Sequence, residues 1–600
     1  MANQPFELRD PRTRRKILAV LNRTEGVSAV SNQVLLRLVL ASELRHFEPG
    51  QAVWSQGQPA DALFVLLDGA VAVTGDNGKY EMAAGQAVGV DAVLHNHNWA
   101  STGQAMTPVV ALRVPKDALH TLATQSTALR RALRKSAQNL THKVPDFVVQ
   151  ADEACVEHVM VAVPAGWSEQ QWVRTLAAVW AAHLPTDAIA VLVADPDHKG
   201  PPVVQKGTPQ TWTVAGDANE ARLDAALDMA KLGYVLVDAS RCTGATRSAW
   251  QAKATKVVAW QDGPAKPDLH GFSQLAAALV VARVPGVVGP LPHESVRINL
   301  NQADLGGAPS PAAVAGMERL CRALTDRTVG LALGGGGAWG YAHVALIREI
   351  RKRGVPIDLV AGCSFGAMVG SYYCSKGLDG LELLVKNGKL FSYCLPLAVA
   401  TSRIIGGLVE RDLGKLDLDD FEVPFLPVAT DVSTGEAVPI AGTRVGFGVR
   451  ASGSFPGIFA PTTASNAQSG KRVRYVDGGI RDNVPEAAIL AAGCDLLVAS
   501  NIVPPPAPDI PPAALFAADW WQPIHEFNPV QRLVDVWRST FILFHAAGQA
   551  EALGADVVYD ASPNRFLATE FAQATAIVED AQAYASQVAD KVQARWLAMQ

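Results

Sequence analysis

Gly362-Cys363-Ser364-Phe365-Gly366 sets a serine between two glycines, where the apolar run IDLVAGCS passes into the helical pattern FGAMVGSYYCSKG. A tight strand-to-helix turn pushes such a serine out of the sheet edge, and small neighbours let the backbone make that turn. The helix that starts beside Ser364 favours negative charge developing there. A nucleophile is the reading this context supports, and a glycine-rich turn without chemistry is the alternative. Upstream, Gly334–Gly340 (GGGGAWG) also follows a strand pattern and precedes a helical one. Consecutive glycines turn several N–H groups toward one point, as ester hydrolysis needs where charge builds on the carbonyl oxygen. A P-loop would end in G-K-[ST], and Trp339-Gly340-Tyr341 stands there instead. A dinucleotide fingerprint stays open, because Asp358 lies roughly where the ribose-binding acid belongs, about 20 residues on.

A serine hydroxyl is a poor nucleophile without a neighbouring base. In most serine hydrolases that base is a histidine backed by an acid. After Ser364 the histidines are His525 and His545, both in a helical C-terminal pattern and neither in a loop after a strand. Asp477 ends the strand pattern RYVDGG. Asp-Gly-Gly by itself is commonly a plain turn, but here it supplies the missing base. A Ser364–Asp477 pair is the expectation, with a Ser-Asp-His triad as the alternative.

The elements that must hold these groups are α/β. TVGLALGGGG, IDLVAGCS, FLPVATDV, KRVRYVDGG and DLLVASNIV read as strands, and AHVALIREIRKRG and FGAMVGSYYCSKG as helices. The apolar segment Leu381–Ala400 is a candidate lid or lipid-facing surface. Before this domain the texture differs twice. From about Phe47 to Pro115 short β-prone runs separated by glycines predict a small antiparallel barrel or roll. From near Cys155, strands alternate with helices such as 169–183, predicting a smaller, mostly parallel α/β domain. Pro196–Pro209 reads as an excursion and Gly289–Ala312 as a linker. The expected organisation is a helical segment over 1–45, a β-roll with flanking helix over 46–145, a small α/β domain over 150–300, a catalytic domain over 315–505 and a mainly helical extension over 506–600.

Six hundred residues, 49% hydrophobic and 18% charged, are enough for several folded cores and exclude wholesale disorder. A net charge of -5 argues against a nucleic-acid partner. Seven scattered cysteines, an odd number without paired spacing, favour free thiols in a reducing compartment, and no His/Cys cluster proposes a metal. No uninterrupted apolar run of about 18 residues proposes a transmembrane helix.

Taken in order, RALTDRTVGLALGGGGAWGYAHVALI, AGCSFGAMVG, VATDVSTGE, RASGSFPGIFAP and VDGGIRDNVP resemble the patatin-like phospholipase domain, in the bacterial branch related to neuropathy target esterase. That resemblance implies a three-layer α/β/α hydrolase fold with a Ser-Asp dyad. It makes Ser364 the nucleophile, Asp477 the base, and Gly335, Gly336 and Gly337 the source of oxyanion donors. Arg450, Pro456, Asn483 and Pro485 fall at positions expected to brace the core and the carboxylate loop. Trp339 stands where the family usually carries Arg or Lys. The run FEPGQAVWSQGQPADALFVLLDGAVAV resembles the cyclic nucleotide-binding domain. There the cassette that follows Gly89 has Val90 in place of Glu, and Trp99 in place of the phosphate-binding Arg. An anionic phosphate would lack its bidentate partner, so a structural or regulatory roll is expected, with His95 or His97 as the substitutes to consider.

The resemblance implies phospholipids, lysophospholipids or other fatty acyl esters as substrates, with no cofactor and no metal. A cytoplasmic location is expected, with peripheral contact at the inner membrane face and self-association both open. The competing reading is a weakly active or inactive domain with a regulatory or scaffold role, the β-roll acting as sensor.

Overall fold

The computed structural model describes residues 32–75, 78–94, 97–125, 309–325, 327–400, 402–465, 472–492, 494–505 and 529–599, together with the strands and one helix between 158 and 297 and isolated positions elsewhere. The expected helices over most of 1–31 and over 219–233, residues 506–512 of the proline-rich loop, His95 and His525 lie outside the described residues. The chain divides into one unit of 1–287 with 294–327, and a second of 288–293 with 328–598.

In the first unit the glycine-separated runs become two four-stranded antiparallel sheets. One holds Glu43–Phe47, Val109–Pro115, Ala62–Asp68 and Ala87–Val88; the other holds Ala52–Trp54, Ser101–Ala105, Ala70–Gly75 and Gly78–Ala83. Alternating apolar residues of Ala70–Gly75 and Val109–Pro115 turn inward, as period-two patterning requires. The α/β region of this unit forms a separate eight-stranded sheet. Its order is Val203–Gln205, Gln210–Ala215, Ile189–Asp195, Tyr234–Asp238, His158–Val163, Lys256–Gln261, Ala278–Arg283 and Ser295–Arg297. All its pairings are parallel except the first. The two end strands lie in the expected excursion and linker; three residues are too few to carry a periodic signal. The helix Pro311–Leu324 also belongs to this unit.

The second unit is built on a sheet of β1 (Val329–Leu333), β2 (Leu359–Cys363), β3 (Phe425–Asp431), β4 (Ala437–Pro439), β5 (Thr462–Ser465), β6 (Arg472–Asp477), β7 (Leu496–Asn501) and β8 (Val557–Asp560). Its order is β5-β6-β3-β2-β1-β7-β8, with β4 added on β3. The central strands β3, β2, β1, β7 and β8 are parallel, while β4, β5 and β6 run antiparallel to their neighbours. Every residue of β1 and β7 is buried, which is why β1 reads as an unbroken apolar run and β7 as one over Leu496–Ala499, before its buried polar end at Ser500 and Asn501. The longer helices of the unit are α1 (Ala342–Lys352), α2 (Phe365–Lys386), α3 (Gly388–Ala400), α4 (Arg403–Leu413), α5 (Val445–Ser452), α6 (Pro529–Glu551) and α7 (Ala574–Ala598), with a six-residue helix over Glu486–Ala491 beside them. The C-terminal region is therefore not helix alone: β8 extends the parallel sheet beside β7, and α7 packs along α1. Tyr559 of β8 stacks on Tyr584 of α7 at 5.3 Å, and Arg353, after α1, pairs with Asp590 at 2.7 Å.

The five described cysteines are free. No described helix is long and apolar enough to cross a membrane.

Candidate active site

β2 delivers Ser364 directly to the start of α2. Ser364 has φ 51° and ψ -120° and is the one non-glycine residue with positive φ among the described residues. Such a conformation costs about 1–3 kcal/mol and persists only where surrounding structure enforces it. Gly366 makes the enforcement possible: a Cβ there would lie 2.3 Å from the Leu333 carbonyl oxygen and 2.6 Å from that of Gly334. The elbow can therefore press against the end of β1, where the glycine loop begins. The Ser364 N–H donates to Ser452 Oγ at 3.0 Å, and the Ser452 hydroxyl donates to the Val428 carbonyl at 2.6 Å. Ser452 is fully buried, whereas Ser364 keeps part of its surface exposed.

The register of β3 brings the aspartate to the same place. Cys363 at the end of β2 pairs with Val428, and Asp477 at the end of β6 pairs with the next residue, Ala429. Asp477 is fully buried. Its N–H donates to the Ser454 carbonyl at 3.0 Å, and its own carbonyl accepts from Thr430 Oγ1 at 3.0 Å. Carboxylate Oδ1 accepts the Gly479 N–H at 2.9 Å. Burial raises the Asp477 pKa to about 6, against hydrogen bonding from Ser364 and the Gly479 amide, which lowers it. Oδ2 accepts no hydrogen bond among the described residues.

In the glycine loop, Gly334 N–H donates to the Ser500 carbonyl at 2.9 Å, and Gly335 N–H is shared between Asn483 Oδ1 at 3.2 Å and the Asn483 carbonyl at 3.3 Å. Ala338 N–H donates to the Ala568 carbonyl at 2.7 Å. Between them, the Gly336 and Gly337 amides meet no protein acceptor among the described residues. Gly335 lies against Ser364: a Cβ there would come within 2.9 Å of Ser364 Cβ. Trp339 is buried, donates Nε1–H to the Phe566 carbonyl at 2.8 Å and packs edge-on against Phe541, ring centroids 5.3 Å apart.

His343, which carried no motif, is fully buried behind this loop, with Nδ1 2.7 Å from Ser500 Oγ and Nε2 2.8 Å from the Gly334 carbonyl. Burial lowers its pKa to about 4, so it is neutral at ordinary pH. His545 Nδ1 sits 2.8 Å from the Val503 carbonyl. Asp358, the candidate ribose acid, is buried at the opposite end of β1 from the glycines and accepts the Val329 N–H at 3.0 Å. That placement removes the dinucleotide reading. Asn483 links the glycine loop to the aspartate loop, and Arg450 Nε donates to Thr462 Oγ1 of β5 at 3.1 Å. Ser452, Thr430 and His343 escape a sequence reading because a buried hydroxyl or imidazole has no spacing signature. Among the described residues no group of His, Cys, Asp and Glu has the arrangement of a metal site.

In the β-roll, the Trp99 indole lies over Gly89, whose Cβ would come within 2.5 Å of the ring, and stacks on Trp54 with centroids 5.4 Å apart. Trp99 is buried, so the position expected to meet a phosphate holds an apolar core side chain.

Residues 331–490 match the family model described as patatin-like phospholipase, and residues 44–126 match that of the cyclic nucleotide-binding domain. An uncharacterized NTE family protein of Mycobacterium tuberculosis is 26% identical over 485 residues, 78% of this chain and 76% of that protein. The neuropathy target esterase of Drosophila melanogaster is 27% identical over 230 residues, 36% of this chain and 16% of that protein. A lysophospholipase of Emericella nidulans is 30% identical over 196 residues, 31% of this chain and 12% of that protein. On these sequence matches the chain is a homologue of the NTE family proteins, with a region that matches the patatin-like phospholipase model behind one that matches the cyclic nucleotide-binding domain.

Proposed function

We propose that this chain hydrolyses fatty acyl esters of the phospholipid or lysophospholipid type through a Ser364–Asp477 dyad. The observation that carries the reading is the meeting of a strained, partly exposed serine with a buried aspartate at consecutive residues of β3. Asp477 accepts the Ser364 Oγ proton as the oxygen attacks the ester carbonyl. The tetrahedral oxyanion forms beside the amides of Gly335, Gly336 and Gly337. Gly336 and Gly337 are free to donate, whereas Gly335 must first release Asn483. The C–O bond to the alcohol or lysolipid breaks, with Asp477 returning the proton to the leaving oxygen. Water, deprotonated by the same carboxylate, then attacks the acyl-enzyme, releasing the fatty acid and restoring Ser364.

A raised pKa suits this role. A carboxylate near 6 is a stronger base than an ordinary aspartate, yet remains ionised at neutral pH. The substrate is expected to reach the site from a lipid surface, and the β-roll to act without a bound cyclic nucleotide. Fluorophosphonate labelling with peptide mapping, alongside hydrolysis of p-nitrophenyl esters of several chain lengths, tests the proposal. Labelling at Ser364, and activity lost in Ser364→Ala and Asp477→Asn, are expected. Activity in the unaltered protein no greater than in either variant would support the competing regulatory role instead.

A further inference from the structure

We propose that Ser452 is a positioning residue that holds the nucleophile and its base in register. The inference rests on the dyad proposed above and concerns a side chain that neither touches substrate nor carries a proton in the reaction.

The need for such a residue follows from Ser364's backbone. At φ 51° the serine occupies a region that residues with a Cβ rarely adopt, and its own side chain makes no cap to the helix it begins. Something outside the turn must hold it. The Ser452 hydroxyl is placed to do so, because its oxygen accepts the Ser364 N–H at 3.0 Å while its proton goes to the Val428 carbonyl at 2.6 Å. With lone pair and proton both engaged, the hydroxyl has a fixed orientation, and full burial keeps water from replacing it. Val428 is the β3 residue paired with Cys363, immediately before the residue paired with Asp477. Two residues beyond Ser452, the Ser454 carbonyl accepts the Asp477 N–H at 3.0 Å. The end of α5 and the residues just after it therefore grip the main chain of both catalytic residues, and β3 is the common rail.

The same bond also bears on oxyanion chemistry. With its N–H committed to Ser452, Ser364 has no amide to offer a tetrahedral oxygen, so the donors must come from elsewhere, the glycine loop being adjacent.

Ser452→Ala removes the hydroxyl, and Ser452→Thr keeps it. A displacement of the nucleophile on the order of an ångström costs about 100-fold. Ser452→Ala is accordingly expected to lower kcat by about 10- to 100-fold with KM little changed. The Ser364 hydroxyl also lowers the Asp477 pKa. Losing its alignment should therefore move the acid limb of the kcat/KM profile to higher pH, a shift that loss of folded protein alone would not produce. Ser452→Thr should restore both kcat and the acid limb toward the unaltered protein. The measurements are pH–rate profiles of the full chain with a p-nitrophenyl ester, with each preparation titrated by a fluorophosphonate so that rates are per reactive serine. Unchanged kcat and acid limb in Ser452→Ala would overturn the inference, as would a Ser452→Thr that folds normally yet falls as far as Ser452→Ala. Failure of the unaltered protein to label at Ser364 would overturn the dyad itself, a separate result from failure of the positioning role.

Discussion

Replacing Asp477 by asparagine should destroy catalysis and make the protein more stable at neutral pH, and the size of the gain follows from the burial of the carboxylate. In the unfolded chain the group titrates at an ordinary 3.8; in the folded protein burial raises it to about 6. Between those values the folded state binds more protons than the unfolded state, so stability falls as pH rises from about 4 to 6. Above about pH 7 the loss is complete and amounts to about 3 kcal/mol. Asparagine does not ionise, so it escapes this cost while its amide oxygen is still able to accept the Gly479 N–H that Oδ1 accepts. Guanidinium unfolding of Asp477→Asn and the unaltered protein at pH 8 and pH 4 isolates the effect, because other titrating groups cancel in the difference. The variant should be more stable relative to the parent at pH 8 than at pH 4, by about 2–3 kcal/mol. An equal difference at both pH values would refute the reasoning, since Asp477 would then not be a charge held out of water. The same ionisation should place the acid limb of the parent's activity near pH 6.

Two further outcomes test the glycine loop. Gly335→Ala places a methyl 2.9 Å from Ser364 Cβ and 3.0 Å from Asn483 Oδ1, so kcat on a p-nitrophenyl ester should fall about 100-fold or more while far-ultraviolet circular dichroism is preserved. His343 titrates at about 4 when folded against an ordinary 6.5, because burial disfavours its cation. Below 6.5 the unfolded chain then binds more protons, so this histidine lowers stability by about 3 kcal/mol as pH drops toward 4, offsetting the gain from Asp477; relative to the parent, His343→Gln should therefore be about 3 kcal/mol more stable at pH 4 than at pH 7 in guanidinium unfolding.

Side chains that do chemistry and glycines that permit a turn leave residue types at fixed offsets, which is why the elbow, the glycine run and Asp-Gly-Gly stand out in the sequence. The central parallel strands are equally legible, because β1 and the first four residues of β7 are buried on both faces and so read as continuous apolar runs. Ser452 is different. It is a serine at the end of an ordinary helix, and its value comes from a register that places Val428 and Ser364 on either side of it. Short strands were missed for a related reason: Val203–Gln205, Ser295–Arg297 and β8 have three or four residues each, too few to show alternation. His343 escaped because a buried imidazole bridging a hydroxyl and a carbonyl is indistinguishable in sequence from a surface one.

Trp339 is where reading by family and reading by geometry diverge most. A basic residue at that position suggests charge as the means of steadying the glycine loop. Here the loop is held instead through backbone carbonyls of the C-terminal segment: Phe566 accepts the Trp339 indole, and Ala568 accepts the Ala338 amide. Neither acceptor has a side-chain signature, and both lie beyond the residues that match the phospholipase model. The indole ring joins Phe541, which stacks against Phe455 at 6.0 Å and meets Phe544 at 6.1 Å, and Phe544 in turn lies against Gly479 of the aspartate loop. An aromatic wall thus runs from the glycine loop to the loop that carries Asp477. Substituting tryptophan for a cation removes a charge from the neighbourhood of the proposed oxyanion site and puts apolar surface in its place. The electrostatic work must then fall on the peptide dipoles of the glycine loop, which need no counter-charge but do need to be held still.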